Sequence, residues 1–389
     1  MARIRLLYVI DSVAAGGAER SLAALAPHYR DLGVDLTVVT LVDRQGVEQQ
    51  LLDAGARLLS VASAKGRSGK LRALRALVRE ERPDLVHTTL FEADILGRTA
   101  ARLAGTPVVS SLVNTAYGAE HAAEQGIRKS RLRGAQALDA VTARFTRRLH
   151  AVSENVAEVM AERLHYPSAR IDVVPRGRDP EVLGRRTATR RAAVRADLGV
   201  ADDEHIVLAV ARHEPQKGLD VLVRAITHVR GTEPRTRLLI AGRDGNATAD
   251  LRATLAACSM EADTVLLGER SDIGDLLSAA DVFVLPSYRE GMPGAVIEAL
   301  ALEVPVVASD IPQVREVTAD RAALLVTPGN VDGFADAIQQ CIEDQAAAAS
   351  RAEDGYVRFT TCFTVQRTAA MMVQFYERAL GATGEATTT

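Results

Sequence analysis

Short apolar runs rich in β-branched residues alternate with longer stretches of helical periodicity along nearly all of this 389-residue chain, and no other feature constrains its fold as strongly. A short apolar run bounded by turn residues and followed by a helical stretch reads as a buried parallel strand, because only a long crossover can bring the chain back to start a parallel neighbour. The runs fall in two series. The first comprises 4–10, 34–40, 57–61, 84–88, 107–111, 148–152 and 171–174; the second comprises 205–210, 237–241, 264–267, 281–285, 304–308 and 322–326. Between them, 175–199 is rich in Arg and broken by Pro175, Gly177, Pro180 and Gly184, which reads as a connection between domains. The expected fold class is therefore α/β, with two doubly wound, Rossmann-like parallel sheets facing each other across a cleft; the length exceeds what a single core fills. The boundaries predicted are 1–185 for the first domain and 186–365 for the second. A terminal helix over 366–380 is free to pack back on the first domain, and a disordered tail occupies 381–389.

Composition narrows the class of function. The three cysteines, Cys258, Cys341 and Cys362, are far apart and make neither a disulfide framework nor a zinc site, which fits a reducing cytoplasm. The apolar run near the N-terminus is interrupted by Asp11, so it reads as a first strand and not a signal peptide. No stretch is long and apolar enough to span a bilayer. Aromatic residues are only 4% of the chain and the net charge is -3, which argues against a nucleic-acid partner. The charge is unevenly placed: residues 1–195 carry 31 Lys and Arg against 21 Asp and Glu, so the front half attracts anions. Lysine is scarce, with Lys217 the only one in the back half.

In an open parallel sheet, ligands settle beyond the carboxyl ends of the strands, where helix N-termini offer unpaired N–H groups to anions. Four segments stand at such places. Glu290 and Glu298 lie eight residues apart where run 281–285 gives way to a helix; eight residues is a little over two helical turns, which sets Glu298 about 12 Å along the axis from Glu290, suited to gripping a different part of a long ligand. Met292, Gly294 and Ala295 bring backbone to the start of that helix. The bland alternative makes Glu290 a capping carboxylate and Glu298 a solvated helix residue. Arg212 and Lys217-Gly218 follow run 205–210, and two fixed cations beside a helix start suit a diphosphate, unless they are merely solvated. Gly16-Gly17, after the first run, permits close approach of backbone to a phosphate or makes a plain turn. Gly242, after 237–241, and Arg270, after 264–267, line a nucleotide pocket or belong to ordinary turns. No D-x-D triplet or histidine cluster with ligand spacing occurs, so no metal site is expected.

Together, Gly16-Gly17-Ala18-Glu19, Val152-Ser153-Glu154, Arg212 through Lys217-Gly218, Glu290-Gly291 through Glu298-Ala299, and Ser309-Asp310-Ile311-Pro312 resemble the retaining, sugar-nucleotide-dependent glycosyltransferases of family 4, which have two Rossmann-like domains in the GT-B arrangement. The resemblance spans nearly the whole chain. It implies that Arg212 and Lys217 bind the donor diphosphate and stabilise the leaving nucleotide, that Glu298 holds the ribose and that Glu290 contacts the transferred sugar. Gly16 and Gly17 would offer N–H groups to the phosphates. It implies no cofactor beyond the nucleoside-diphosphate sugar itself, UDP- or GDP-linked, and no metal. Two departures stand out. Many relatives carry a histidine just after run 107–111, where this chain has Val113 and Asn114; Asn114 can bond a sugar hydroxyl but cannot carry charge. His87, at the end of run 84–88, and His121, in the following loop, are the other candidates for contact with sugar or acceptor, against ordinary packing and loop roles. Relatives often show Asn-Gly-Val-Asp where this chain has Arg176-Gly177-Arg178-Asp179, two added cations that we read as facing an anionic acceptor.

The front half carries further cations. Arg72, Arg75, Arg79 and Arg82 share one face of a predicted helix, opposite Leu71, Leu74, Leu77 and Val78. Arg128, Lys129, Arg131 and Arg133 cluster in the long interval after Asn114. They fit a solvated face, or peripheral contact with an anionic membrane carrying a lipid-phosphate acceptor; a small molecule or a glycan is the other class of acceptor. Transfer of a hexose is the leading expectation. A sugar-nucleotide epimerase on the same fold, or a non-catalytic sugar-nucleotide-binding protein, is the alternative.

Overall fold

A computed structural model describes residues 3–14, 16–118, 128–319 and 321–381. The chain divides into two compact units, the first made of Met1–Gly177 with Val365–Thr389 and the second of Arg178–Thr364. The division precedes the 185/186 boundary read from sequence because the Arg-rich segment is not a free connector. It forms helices Pro180–Leu183 and Ala188–Asp197, which belong to unit 2. Arg195 is 2% exposed, donates to the carbonyls of Ala201 and Glu204 and pairs with Asp281; Arg186 and Arg191 bond the carbonyls of Ala279 and Ala280. Those carbonyls end helix Ile273–Ala279, so the arginines supply donors that its last turn lacks. The helix expected over 366–380 is Val365–Leu380, within unit 1; of the expected tail, 382–389 lies outside the described residues.

Among the described residues, unit 1 holds seven parallel strands in the order β3-β2-β1-β4-β5-β6-β7. They are β1 Ile4–Ile10, β2 Val34–Thr40, β3 Arg57–Ser60, β4 Leu85–Thr89, β5 Val108–Leu112, β6 Leu149–Ala151 and β7 Ile171–Val173. Side chains alternate across the sheet with period two, and β1 shows what that does. Its Leu6, Tyr8 and Ile10 pack against helices Gly17–Asp31 and Val365–Leu380, while Leu7 and Val9 pack against Gly66–Glu81 and Phe91–Ala104. Being covered on both faces is why these strands read as continuous apolar runs.

Unit 2 repeats the plan, among the described residues, with six parallel strands in the order β10-β9-β8-β11-β12-β13. These are β8 His205–Val210, β9 Thr236–Ala241, β10 Thr264–Gly268, β11 Val282–Leu285, β12 Val306–Ser309 and β13 Leu324–Val326. Val207 and Ala209 of β8 face a core completed by Leu222 and Ile226 of helix Leu219–Thr232 and by Phe334 and Ile338 of helix Val331–Glu343. The order reverses beside β8, whose neighbours are β9 and β11, and the carboxyl ends of the strands at such a switch point are where open sheets of this kind take ligands. Among the described residues, no helix is long and apolar enough to cross a membrane.

Candidate functional site

The loops at the carboxyl ends of β10, β9, β8 and β11 form a single ledge in unit 2, and glycine makes the joins. Gly242 N–H donates to Gly268 O at 2.7 Å, and a Cβ on Gly242 would stand 1.8 Å from Ala211 O. Gly218 adopts φ +61 and lies against the next loop, where a Cβ would meet Pro286 O at 2.3 Å. Tyr288 N–H donates to Gln216 O at 2.8 Å across the same seam. Backbone is thus drawn together where only glycine fits.

That seam aligns the charged side chains. Lys217, in the single turn Pro215–Lys217, places Nζ 2.6 Å from Glu290 Oε1, with the two side chains 15% and 10% exposed. Arg212 is half exposed and 3.6 Å from Glu214. Glu290 is on the loop and not on the helix, which runs Gly294–Ala301 behind Pro293; only half of the eight-residue interval is helical, so the axial spacing derived for a continuous helix does not apply. Glu298 is on that helix, and its Oε1 accepts from Arg178 Nε at 2.5 Å. Both glutamates therefore have a cationic partner. Met292 is buried, while Gly294 and Ala295 form the first turn of the helix. Arg270 is turned onto Asp272, Nε to Oδ1 2.7 Å, a pairing that holds the carboxyl below its usual range.

Unit 1 holds the other candidates. Gly16 caps helix Gly17–Asp31 with extended backbone; a Cβ there would meet Glu19 Oε2 at 2.3 Å, and one on Gly17 would meet Arg176 Nη1 at 3.0 Å. Asn114 lines a pocket of about 760 Å³ beyond β1, β4 and β5, with Asp11, Glu92, Tyr117, Arg131 and Asp139. Asp11, the first polar residue after the first apolar run, is a lining residue that no motif in the sequence singles out. Its Oδ1 accepts from Ala93 N–H at 2.9 Å, and burial pushes its carboxyl up to about 6. His87 is 1% exposed and bonds Tyr376 and Ser111 within the core of its unit; it does not line the Asn114 pocket itself but is one hydrogen bond from it through Ser111, which does. His121 lies outside the described residues. Arg178, read from sequence as facing an acceptor, is instead committed to Glu298: the helix beside it presents glycine at 294, where a Cβ would stand 2.0 Å from Arg178 Nη2.

Known families and proteins resemble both halves of the chain. Residues 190–358 match the family model for glycosyl transferases group 1, and 15–182 match that for glycosyltransferase family 4. The chain is 31% identical over 277 residues to the UDP-Gal:alpha-D-GlcNAc-diphosphoundecaprenol alpha-1,3-galactosyltransferase of Escherichia coli, covering 70% of each chain. It is 33% identical over 219 residues to a D-inositol 3-phosphate glycosyltransferase of Mycobacteroides abscessus, covering 54% of this chain and 47% of that one. Among solved structures, Anabaena HepE in complex with UDP and glucose superposes with TM-score 0.85 at 21% identity, over 96% of this chain and 100% of that one. The sucrose-phosphate synthase of Thermosynechococcus elongatus gives 0.81 at 21%, over 98% and 100%.

Proposed function

Because the chain belongs to glycosyltransferase family 4 and is a hexosyltransferase of GT-B fold that uses a nucleotide sugar, we propose that its donor is a UDP-hexose, transferred with retention and without a metal. The observation that carries this reading is the Lys217–Glu290 pair on the strand-end ledge, with Glu298 on the helix that follows. Lys217 has three N–H donors and gives one to Glu290, so two remain for the β-phosphate as its charge grows on departure. Arg212, half exposed, adds a second cation. Glu290 holds hydroxyls of the sugar, and Glu298 accepts from the ribose diol. The acceptor hydroxyl attacks the anomeric carbon on the face the nucleotide leaves; the glycosidic bond forms, the bond to phosphate oxygen breaks, and the proton passes to the departing phosphate. No protein nucleophile is required, and positioning with electrostatics supplies the rate.

The E. coli galactosyltransferase is named for an acceptor carrying a lipid diphosphate, and two features of unit 1 support an acceptor of that class here. Arg128, Lys129, Arg131 and Arg133 are exposed around the start of helix Lys129–Ala143, and Arg131 lines the 760 Å³ pocket with Asn114. The exposed Arg72, Arg79 and Arg82 offer contact with an anionic surface bearing the acceptor.

The test is turnover of UDP-glucose, UDP-galactose, UDP-GlcNAc and GDP-mannose in EDTA, with a prenyl-diphosphate sugar as acceptor. A UDP-hexose transferred with its anomeric configuration kept is expected. Lys217→Ala should lower kcat about 100-fold while KM for the donor moves far less, because the charge that Lys217 opposes increases in the transition state. Equal losses in kcat and in donor affinity would remove that role. C2 inversion of UDP-GlcNAc would mark an epimerase, and tight binding without turnover a binding protein.

A further inference from the structure

Arg178 is the first residue of unit 2, immediately after the chain crosses from unit 1. Its backbone N–H donates to Phe363 O at 2.8 Å and it forms a parallel bridge with Thr364, so the residue is anchored at the point where the chain enters and leaves unit 2. From that anchor the side chain runs to helix Gly294–Ala301 and lies along one face of it. Nη2 sits over Gly294 and Nε binds Glu298 Oε1 at 2.5 Å, positions one turn apart on the same face. Both side chains are mostly withdrawn from solvent, at 20% and 17% exposed.

We infer that Arg178 is a positioning residue for nucleotide recognition: it fixes the Glu298 carboxylate in one orientation, with an edge left to accept both hydroxyls of a ribose. This rests on the ribose role proposed for Glu298. A carboxylate has about four lone-pair sites, and the bond from Nε uses one of them, so a cis-diol can still be accepted. Arg178 also offsets a negative charge that would otherwise stand beside a bound diphosphate. Arginine suits the task better than lysine because its planar fork is pre-organised, so less freedom is lost per bond formed. Gly294 completes the device, since any side chain there would displace the guanidinium.

The readout is the preference for UDP over 2′-deoxy-UDP, measured by calorimetry on the full chain. A merely structural role for Arg178 would not move this ratio. Glu298→Ala should abolish the preference. Arg178→Ala should lower it roughly tenfold, the scale of one hydrogen bond to a charged group, mainly by weakening UDP. Arg178→Lys should restore part of it. If Glu298→Ala collapses the preference while Arg178→Ala leaves it intact, the positioning role is wrong and the ribose reading survives. Tighter UDP binding by Arg178→Ala would show that Arg178 competes with the ribose. An unchanged preference in Glu298→Ala would overturn the ribose reading itself, and this inference with it.

Discussion

Both ring nitrogens of His150 are committed inside unit 1, and the proton positions can be worked out along the line. Nε2 donates to Val174 O at 2.9 Å, which leaves Nδ1 to accept from Ser111 at 2.7 Å; Ser111 in turn accepts from His87 Nε2 at 2.7 Å, and His87 Nδ1 accepts from Tyr376 at 2.9 Å. A proton added to either ring would set two donors against each other. Burial pushes the His150 imidazole down to about 4, and burial with the neighbouring ring pushes His87 well below its usual range. The sign follows from linkage. A histidine whose folded pKa is depressed contributes stability that is present above its unfolded pKa, near 6.5, and lost as pH falls toward 4. Asp11 and Asp94, raised by burial, have the opposite slope in part of that window, so the diagnostic quantity is a difference. Urea unfolding of wild type and His150→Gln should show the wild type losing about 2 kcal/mol relative to the variant between pH 7.5 and pH 5. A constant difference would mean that His150 takes up its proton in the fold as readily as in the unfolded chain.

At the level of elements, the strand-end ledge depends on backbone proximity more than on any side chain. Gly218 combines a left-handed φ with a backbone oxygen at 2.3 Å from its missing Cβ, so Gly218→Ala must push apart the loops that carry Lys217 and Glu290. It should cost about 2–4 kcal/mol of unit 2 stability and abolish UDP binding, measured by urea unfolding and calorimetry. Wild-type affinity in this variant would show that the seam does not align the site. Elements of this kind were legible in the sequence for a simple reason: strands covered on both faces must be apolar along their length, and 205–210 or 34–40 can be little else. Which glutamates and cations meet was not legible. Arg178 and Glu298 are far apart in sequence, as are Lys217 and Glu290, and a spacing rule sees only neighbours on one element. A spacing rule also treats the interval from Glu290 to Glu298 as helical throughout, since Pro293 fits a first turn as well as the residue before it. The arginines of 186–195 read as a linker because their partners, the carbonyls at the end of helix Ile273–Ala279, carry no sequence signal at all.

For the molecule as a whole, the chain leaves unit 1 at Gly177 and returns to it at Val365, so the order of residues and the order of folding need not agree. The returning helix is not an appendage. Val365, Ala369, Met372, Phe375 and Tyr376 are buried, and Tyr376 reaches Tyr29 at 3.1 Å as well as His87. Removing it exposes one face of β1 and of helix Gly17–Asp31, at about 1.5–3 kcal/mol for each large side chain uncovered, and strands the His87 and Tyr29 partners. The sum approaches the whole stability of a typical domain, about 5–15 kcal/mol. Unit 2 is different: its core around Phe334 and Ile338 is its own, and its two ends are joined by the Arg178–Thr364 bridge. A chain ending at residue 364 should therefore keep a cooperatively folded, protease-resistant 178–364 and lose unit 1, whereas 178–364 made alone should fold. Circular dichroism melts and limited proteolysis decide the matter; if residues 1–177 stay protected in the chain ending at 364, the C-terminal helix is dispensable and the core assigned to unit 1 is wrong.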